Sequence, residues 1–494
     1  MGIKMHNGSE RFDTVIIGGG FAGLSCAALL TKAGCKVVLL EKNRRIGGYA
    51  VSYTLKKHRF DIAIQAIGGC DPKGAIYRLL QDIHREESVQ FLPCEPARVY
   101  YFNDSDEPWL QPGSCSTLIE TLCRRFPDYC RIIEECYRIW SGILTELERI
   151  ASPETRSAAF GFARSYPLLA QYGGYTVKDF LDEQGVPEEI QTVLTARSGY
   201  CMLPPDRLSL VGFSCTEMTY SKGAWLVKGG MDQLTQTLVK SIQDQGGMVE
   251  LHSRVSTILT ERGKVRGVAT QDGRFYPSHN VVVASAVQTA LGHWLDTPDL
   301  IPDRYSRKVA AMEATGSYYV AYYSVGAEVV EGLWPNIEIR NNKKSISGLW
   351  SPEAYYILIP SLIDSTAAPP GFHCLCLSVP CPAGYDTLGV EGRRFCRTFL
   401  EREVEKRFPQ LKGKMTFLFE LAPEQLASIS GNPGGSAYGW AQTPEQSGIK
   451  RLNLKTPIPG LYLAGHWTMP GGGIAGVVTS GQLCAQAILA EGTQ

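Results

Sequence analysis

Gly18, Gly20 and Gly23 stand in the spacing G-x-G-x-x-G, Glu41 follows at the end of an apolar run, and Gly47 and Gly48 come soon after it. Bare backbone at the three spaced positions has three separate uses: a tight turn, close approach to a pyrophosphate, and close packing of a helix on a strand. Phe21 and Ala22 complete that turn, and Glu41 falls where ribose hydroxyls need a carboxylate acceptor. After the short basic link that includes Lys42, the pair Gly47-Gly48 offers a second bare approach to a long, extended ligand. Near the other end of the chain Gly465 and His466 lead through a proline and glycine loop to Gly473, Ile474 and Ala475, where a helix begins. The N-terminal amides of such a helix favour an anion. The chemistry implied is capture of a dinucleotide, with negative charge met at both ends of the chain.

These residues need strands and helices to hold them. Val15 to Ile17 and Val37 to Leu40 are short apolar runs without polar alternation, as strands buried on both faces require. Leu24, Ala27, Ala28, Leu29 and Leu30 lie on the helix between them, which aims its N-terminus at the phosphates. The segment Gly223 to Leu238 reads as a strand, a Gly229-Gly230 turn and an amphipathic helix. Met248 to Ala286 gives four strands, with hairpin chemistry at Arg262-Gly263 and Asp272-Gly273. Leu461 to Ala464 is a final buried strand.

Bulk properties exclude several classes. At 494 residues the chain exceeds one ordinary core, so at least two domains are expected. Forty-nine basic and 49 acidic residues cancel, leaving no electrostatic footprint for nucleic acid. The fifteen cysteines lack C-x-x-C spacing and read mostly as small buried hydrophobes of a reducing compartment, with neither zinc nor a dithiol centre expected. The N-terminus lacks an apolar signal core, and no run of about 18 apolar residues is evident. The expected location is cytoplasmic, in solution or on a membrane surface.

Between the nucleotide segments lies a mixed region. Phe60 and Asp61 centre a strand pair, Arg98 to Phe102 suits a strand, and helices are expected at Ser116 to Arg125, Tyr129 to Ile150, Thr176 to Gln184 and Glu188 to Ser198. Pro204 and Pro205 force an extended break before a helix near Asp206. Two readings stand for Ala151 to Tyr175: a lid or membrane-contact segment over an apolar tunnel, or a buried helix and loop. Ser317 to Ser324, Ala354 to Ile359 and Cys374 to Val379 form a second sheet, followed by a helix from Val390 to Phe408. Its crowded tyrosines either line a pocket for a flat or elongated apolar molecule or fill a core.

The opening GGGFAGL…EK…GG, the PP followed by KGGM, the loop GNPGGSAYGWAQTPEQSG and the closing GLYLAGHWTMPGGGIAGVVTSG resemble, in order, the phytoene desaturase, carotenoid isomerase and retinol saturase family of flavoproteins. The resemblance implies an α/β fold: a Rossmann-type FAD-binding domain from residues 10–75, 215–300 and 430–494, and an inserted mixed α+β substrate domain from 76–214 and 301–429. It implies FAD as cofactor, a hydrophobic polyene substrate whose C=C bonds are desaturated, saturated or isomerised, peripheral membrane attachment, and an external electron donor or acceptor. In such proteins a strand residue at Val255 pairs its backbone with adenine; an ordinary buried valine is the other reading. The closing helix would meet the charge that develops on the flavin as it takes a hydride. His466 stands where many relatives carry an acid, and Tyr49 where many carry an arginine. His466, the one candidate for a catalytic role, would hydrogen-bond as a neutral imidazole to the ribityl chain or act as a cation beside phosphate or reduced flavin; a satisfied structural histidine is the other reading. An amine oxidase, which calls for an aromatic cage facing the flavin, and a non-catalytic lipid carrier are the alternatives on the same scaffold.

Overall fold

Val15–Ile17 and Val281–Val283 pair in parallel register, residue for residue, and Leu461–Leu463 pairs with the other edge of Val281–Val283. Val37–Leu40 continues the sheet on the far side of the first strand, followed by Met248–Glu250. Val15–Ile17, Val37–Leu40, Val281–Val283 and Leu461–Leu463 are apolar or aromatic and sealed from water, which is why neither face of these strands alternates. The computed structural model describes residues 4–5, 11–62, 65–102, 105–151, 161–340 and 354–492.

The resulting eight-stranded sheet changes character along Arg274–Val283. Its first half pairs antiparallel with Lys264–Thr270, which in turn pairs with Val255–Glu261; its second half enters the parallel centre. Helices Phe21–Lys32, Ala75–Asp82, Met231–Asp244 and Ile474–Gly492 share one apolar core on this sheet, around Leu24, Leu79, Leu238 and Val478. The closing helix is long and apolar enough to cross a membrane by length and composition, contrary to the expectation of no such run. Here it lies along Phe21–Lys32 so closely that a Cβ on Gly481 would stand 2.3 Å from the Ala22 carbonyl oxygen.

A seven-stranded sheet runs in the order Thr416–Leu421, Ser317–Gly326, Phe372–Cys381, Ala354–Leu358, Asn336–Arg340, Arg98–Phe102, Trp109–Gln111. Along Ser317–Gly326 the side chains divide by parity. Tyr319 and Tyr323 turn to the helix Gly389–Arg407 and donate to Glu420 and Glu401, while Val320 and Tyr322 pack on the other face with Phe60. A helical layer around Trp140 includes Cys115–Arg125, Cys130–Ala151, Val177–Glu183 and Leu210–Tyr220.

Three local expectations change. The turn after Pro204 continues through Leu208, and the next helix starts at Leu210 because Ser209 supplies its cap, Oγ accepting from the Val211 amide at 3.2 Å. The helix from Glu188 ends at Leu194 and tightens into a 3₁₀ turn over Ala196–Cys201. Cys123 and Cys130 form a disulfide at the joint between two helices, whereas cysteines such as Cys26, Cys374 and Cys484 are buried among apolar side chains. Of the 151–175 segment, residues 152–160 lie outside the described residues; Tyr166, Leu169 and Tyr172 beyond them are buried in the helical layer.

Candidate functional site

The parallel strands end together at Ile17, Leu40, Val283 and Leu463, and the loops that leave them enclose a long cavity, the usual ligand position in such sheets. Gly18, Gly20, Phe21, Ala22, Glu41, Lys42, Gly47, Gly48, Val255, Gly465, His466, Gly473 and Ile474 all line it. Gly18 adopts φ +108°, and a Cβ there would meet the Ala284 carbonyl oxygen at 2.6 Å. At Gly20 and Gly473, by contrast, a Cβ would find no heavy atom within 4 Å, so backbone at both points is open to a ligand. Gly47 donates its amide to the Gly19 carbonyl at 2.8 Å, which seats the second glycine pair against the first loop.

Two expected residues lie outside the cavity. Gly23 is bare for packing: a Cβ would stand 2.1 Å from the Gly18 carbonyl oxygen. Ala475 turns toward Gly69, on the side of the helix away from the cavity lining. Lys42 lines the cavity, but its ammonium donates to the carbonyls of Ser428 and Ile429 at 2.8 and 3.0 Å. These are the last carbonyls of the helix Pro423–Ser430, so the charge is committed to a helix C-terminus rather than to a phosphate.

Glu41 is 5% exposed, and its carboxylate already organises the loop. One oxygen accepts the Gly19 amide at 2.8 Å and the other the Asn43 amide at 2.8 Å. A carboxylate offers about four acceptor positions, so each oxygen keeps capacity for a hydroxyl.

His466 turns its ring edge-on to Trp467, centroids 5.2 Å apart. Burial first, then the nearby charge of Arg451, pushes its pKa down to about 3, against a hydrogen bond with the Ala437 backbone that raises it. The imidazole is therefore neutral, which removes the cationic role from the two anticipated. The cation of this region is Arg451, fully buried, whose guanidinium donates to the carbonyls of Trp440, His466 and Thr468 at 2.9, 2.6 and 2.9 Å. It has no carboxylate partner among the described residues, and burial lowers its pKa to about 9. Arg451 gave no sequence signal, because its partners are backbone atoms of loops.

Tyr49, in the position anticipated for arginine, lines the cavity and donates to the Ser436 carbonyl at 3.0 Å. Arg254, Trp294 and Asn432 are further lining residues that no motif singled out. The cavity shares Tyr318, Tyr438, Gly473 and Ile474 with a second chamber, also lined by Arg98, Tyr200, Tyr220, Tyr322 and Tyr356. At the junction the rings of Tyr318 and Tyr438 stand 6.5 Å apart at 87°. The open backbone at Gly20 and Gly473, the remaining acceptor capacity of Glu41 and the cavity's length fit a flavin dinucleotide.

A family model described as "Flavin containing amine oxidoreductase" matches residues 21–489. Prolycopene isomerase of Daucus carota is 23% identical over 98% of this chain and 81% of its own length. Phytoene desaturase (neurosporene-forming) of Rhodobacter capsulatus is 24% identical over 96% and 93%. The human all-trans-retinol 13,14-reductase is 24% identical over 97% and 86%. Among solved structures, cyclohexylamine oxidase of Brevibacterium oxydans superposes with a TM-score of 0.65 at 17% identity, covering 98% of this chain and all of that one, which establishes a common fold.

Proposed function

Because the chain belongs to the flavin-containing amine oxidoreductase family and its cofactor is FAD, we propose that it acts on carbon–carbon double bonds of a conjugated, hydrophobic substrate of the carotenoid, retinoid or related terpenoid kind. The observation that carries this reading is the shared wall of Tyr318, Tyr438, Gly473 and Ile474, where the dinucleotide cavity meets an aromatic chamber. When bound, FAD supplies reversible hydride exchange at its isoalloxazine ring. Desaturation, saturation and isomerisation all use that chemistry and differ in where the electrons come from and go.

The protein's part is binding, orientation and exclusion of water. Glu41 would accept the ribose hydroxyls, open backbone at Gly20, with the Gly47-Gly48 pair seated beside it, would admit the pyrophosphate, and Val255 would border the adenine end. Gly465, neutral His466 and the N-terminus at Gly473 and Ile474 face the redox end. In this assignment residues 10–75, 215–300 and 430–494 bind the nucleotide, while 76–214 and 301–429 hold the substrate. The same reading includes an external electron partner and peripheral attachment to a membrane. Val390 and Phe395, 75% and 51% exposed on the arginine-rich helix Gly389–Arg407, are the side chains assigned to that contact.

One observation favours the amine oxidase alternative: Tyr318 and Tyr438 supply the paired aromatic rings that the sequence did not reveal. Arg98 in the same chamber opposes it, since a buried guanidinium repels an ammonium substrate. The test is anaerobic incubation of FAD-loaded protein with carotenoids and retinoids, following flavin absorbance and product mass together. Loss of two hydrogens with bleaching of the oxidised flavin identifies a desaturase; after prior reduction of the flavin, gain of two hydrogens with its reoxidation identifies a saturase, and unchanged mass with altered geometry an isomerase. No response to any polyene, with bleaching by an amine, refutes the reading; protein that takes up no FAD would point to the carrier.

A further inference from the structure

The chamber beyond Tyr318 and Tyr438 is poorly suited to an end that is only hydrocarbon. Arg98 lines it, with its side chain 3% exposed and its guanidinium carbon 4.4 Å from the ring centre of Tyr200 and 5.4 Å from that of Tyr356. Nη1 donates to Glu338 at 2.7 Å and Nη2 to Gln65, while Nε has no partner among the described residues. Glu338 is completely buried, and its other oxygen accepts from Arg340 at 2.6 Å. Among the described residues one carboxylate thus serves two guanidiniums, and the group of Arg98, Glu338 and Arg340 carries one excess positive charge. The neighbouring Arg197 is matched by Glu217 at 2.7 Å and changes nothing in that balance. Asp61, the acid that lines the chamber, accepts from Ser52 Oγ at 2.5 Å and the Met231 amide at 2.9 Å, both neutral donors, and burial raises its pKa, which disfavours a charge there.

Among the surrounding phenols Tyr220 already donates to the Ala66 carbonyl at 3.4 Å and Tyr438 is hydrogen-bonded with Tyr318, while Tyr200 and Tyr356 add donors. Burial raises the pKa of Tyr200, Tyr220 and Tyr356, and that of Tyr438 to about 12, so all remain protonated at neutral pH. A purely apolar occupant would strip water from these groups and return no hydrogen bond, an unfavourable exchange. An anionic oxygen would answer both the unpartnered N–H and the excess charge.

On the reading that this is a double-bond oxidoreductase, the geometry points to a substrate whose conjugated chain ends in a carboxylate, with that end seated in the tyrosine chamber on Arg98 and the conjugated portion at the Tyr318–Tyr438 junction. Arg98 is then the specificity residue for charge, and Tyr200 and Tyr356 hold its guanidinium plane.

The test uses FAD-loaded protein and three probes of one skeleton: all-trans-retinoic acid, its methyl ester and all-trans-retinol, with dissociation constants read from the flavin spectrum. The acid is expected to bind at least about tenfold more tightly than the ester, the scale of one charge-assisted hydrogen bond. Arg98→Met, which leaves Glu338 paired with Arg340, should abolish that preference while the ester's affinity stays within about threefold. Tyr356→Phe, which keeps the ring, should weaken the acid selectively and serves if Arg98→Met does not fold. Equal affinity for acid and ester in the unmodified protein overturns this inference while leaving the double-bond reading intact. If no probe perturbs the flavin and no polyene is converted, both fall together.

Discussion

Glu41 makes a prediction that does not depend on the cofactor. Its two oxygens each accept a backbone amide at 2.8 Å, from Gly19 and from Asn43, so the carboxylate shapes the loop before any ribose arrives. A hydrogen bond to a charged acceptor contributes about 1.5–3 kcal/mol. Glu41→Gln keeps one acceptor oxygen and turns an NH₂ toward the other amide, so one bond is lost. Glu41→Ala loses both, about 3–6 kcal/mol on the same scale. If that stability is spent locally, hydrogen exchange in FAD-free protein should accelerate by about 10- to 150-fold at one of the two amides in Glu41→Gln, and further at both in Glu41→Ala. Mass-spectrometric or NMR exchange on FAD-free protein reads this directly, alongside FAD affinity in the same variants. Unchanged exchange at Gly19 and Asn43 with weakened FAD binding would show that Glu41 serves the ligand alone, and the argument for loop preorganisation would fail.

Gly23→Ala places a methyl 2.1 Å from the Gly18 carbonyl, and overpacking of this kind should destabilise the protein by about 1–3 kcal/mol in urea denaturation and lower its FAD content. His466→Ala should reduce FAD retention or shift the flavin potential; unchanged occupancy, potential and turnover would make His466 structural only. The same histidine binds no proton in the fold above pH about 3 but does so below about 6.5 when unfolded, so wild-type stability should fall as pH drops through that window, and His466→Gln should flatten the fall. Arg451→Lys should loosen the loops at Trp440, His466 and Thr468 and lower FAD occupancy even though charge is kept, because an ammonium lacks the guanidinium's planar fork; full FAD occupancy in that variant would show that this tie is not needed to hold the cofactor. Replacing Val390 and Phe395 by aspartate should reduce co-sedimentation with liposomes, and equal sedimentation would remove that face from the proposed membrane contact.

The nucleotide half of the fold was legible because its signals are local. The turn at Gly18, the acid at Glu41 and the helix start at Ile474 each combine residue types within a few positions, and the strands beside them are apolar throughout. Gly23 and Ala475 were rightly placed in the motif yet stand behind the cavity wall, since a motif specifies packing as well as contact. The tyrosine-lined chamber was legible only as one of two readings of the crowded tyrosines. Strand periodicity divides Tyr318, Val320 and Tyr322 from Tyr319 and Tyr323 but does not say which face looks inward. Arg98 meets Glu338 only through the pairing of Arg98–Phe102 with Asn336–Arg340, a contact 240 residues apart in sequence. The partners of the Lys42 ammonium, the carbonyls of Ser428 and Ile429, were not legible because they belong to a helix end far along the chain.

That last contact bears on how the cofactor comes and goes. Lys42 and Asn43 hold the end of Pro423–Ser430, Asn43 donating to the Ile429 carbonyl at 2.8 Å, and Tyr49 is tied to the Ser436 carbonyl just beyond. The loop after the acid and the segment after residue 428 therefore form a clasp across the cavity's side. If a bound dinucleotide leaves by that side, its residence time should follow the opening rate of a few hydrogen bonds rather than the full strength of its own contacts. Loosening the clasp would speed loading and loss together, and the affinity would change far less than either rate.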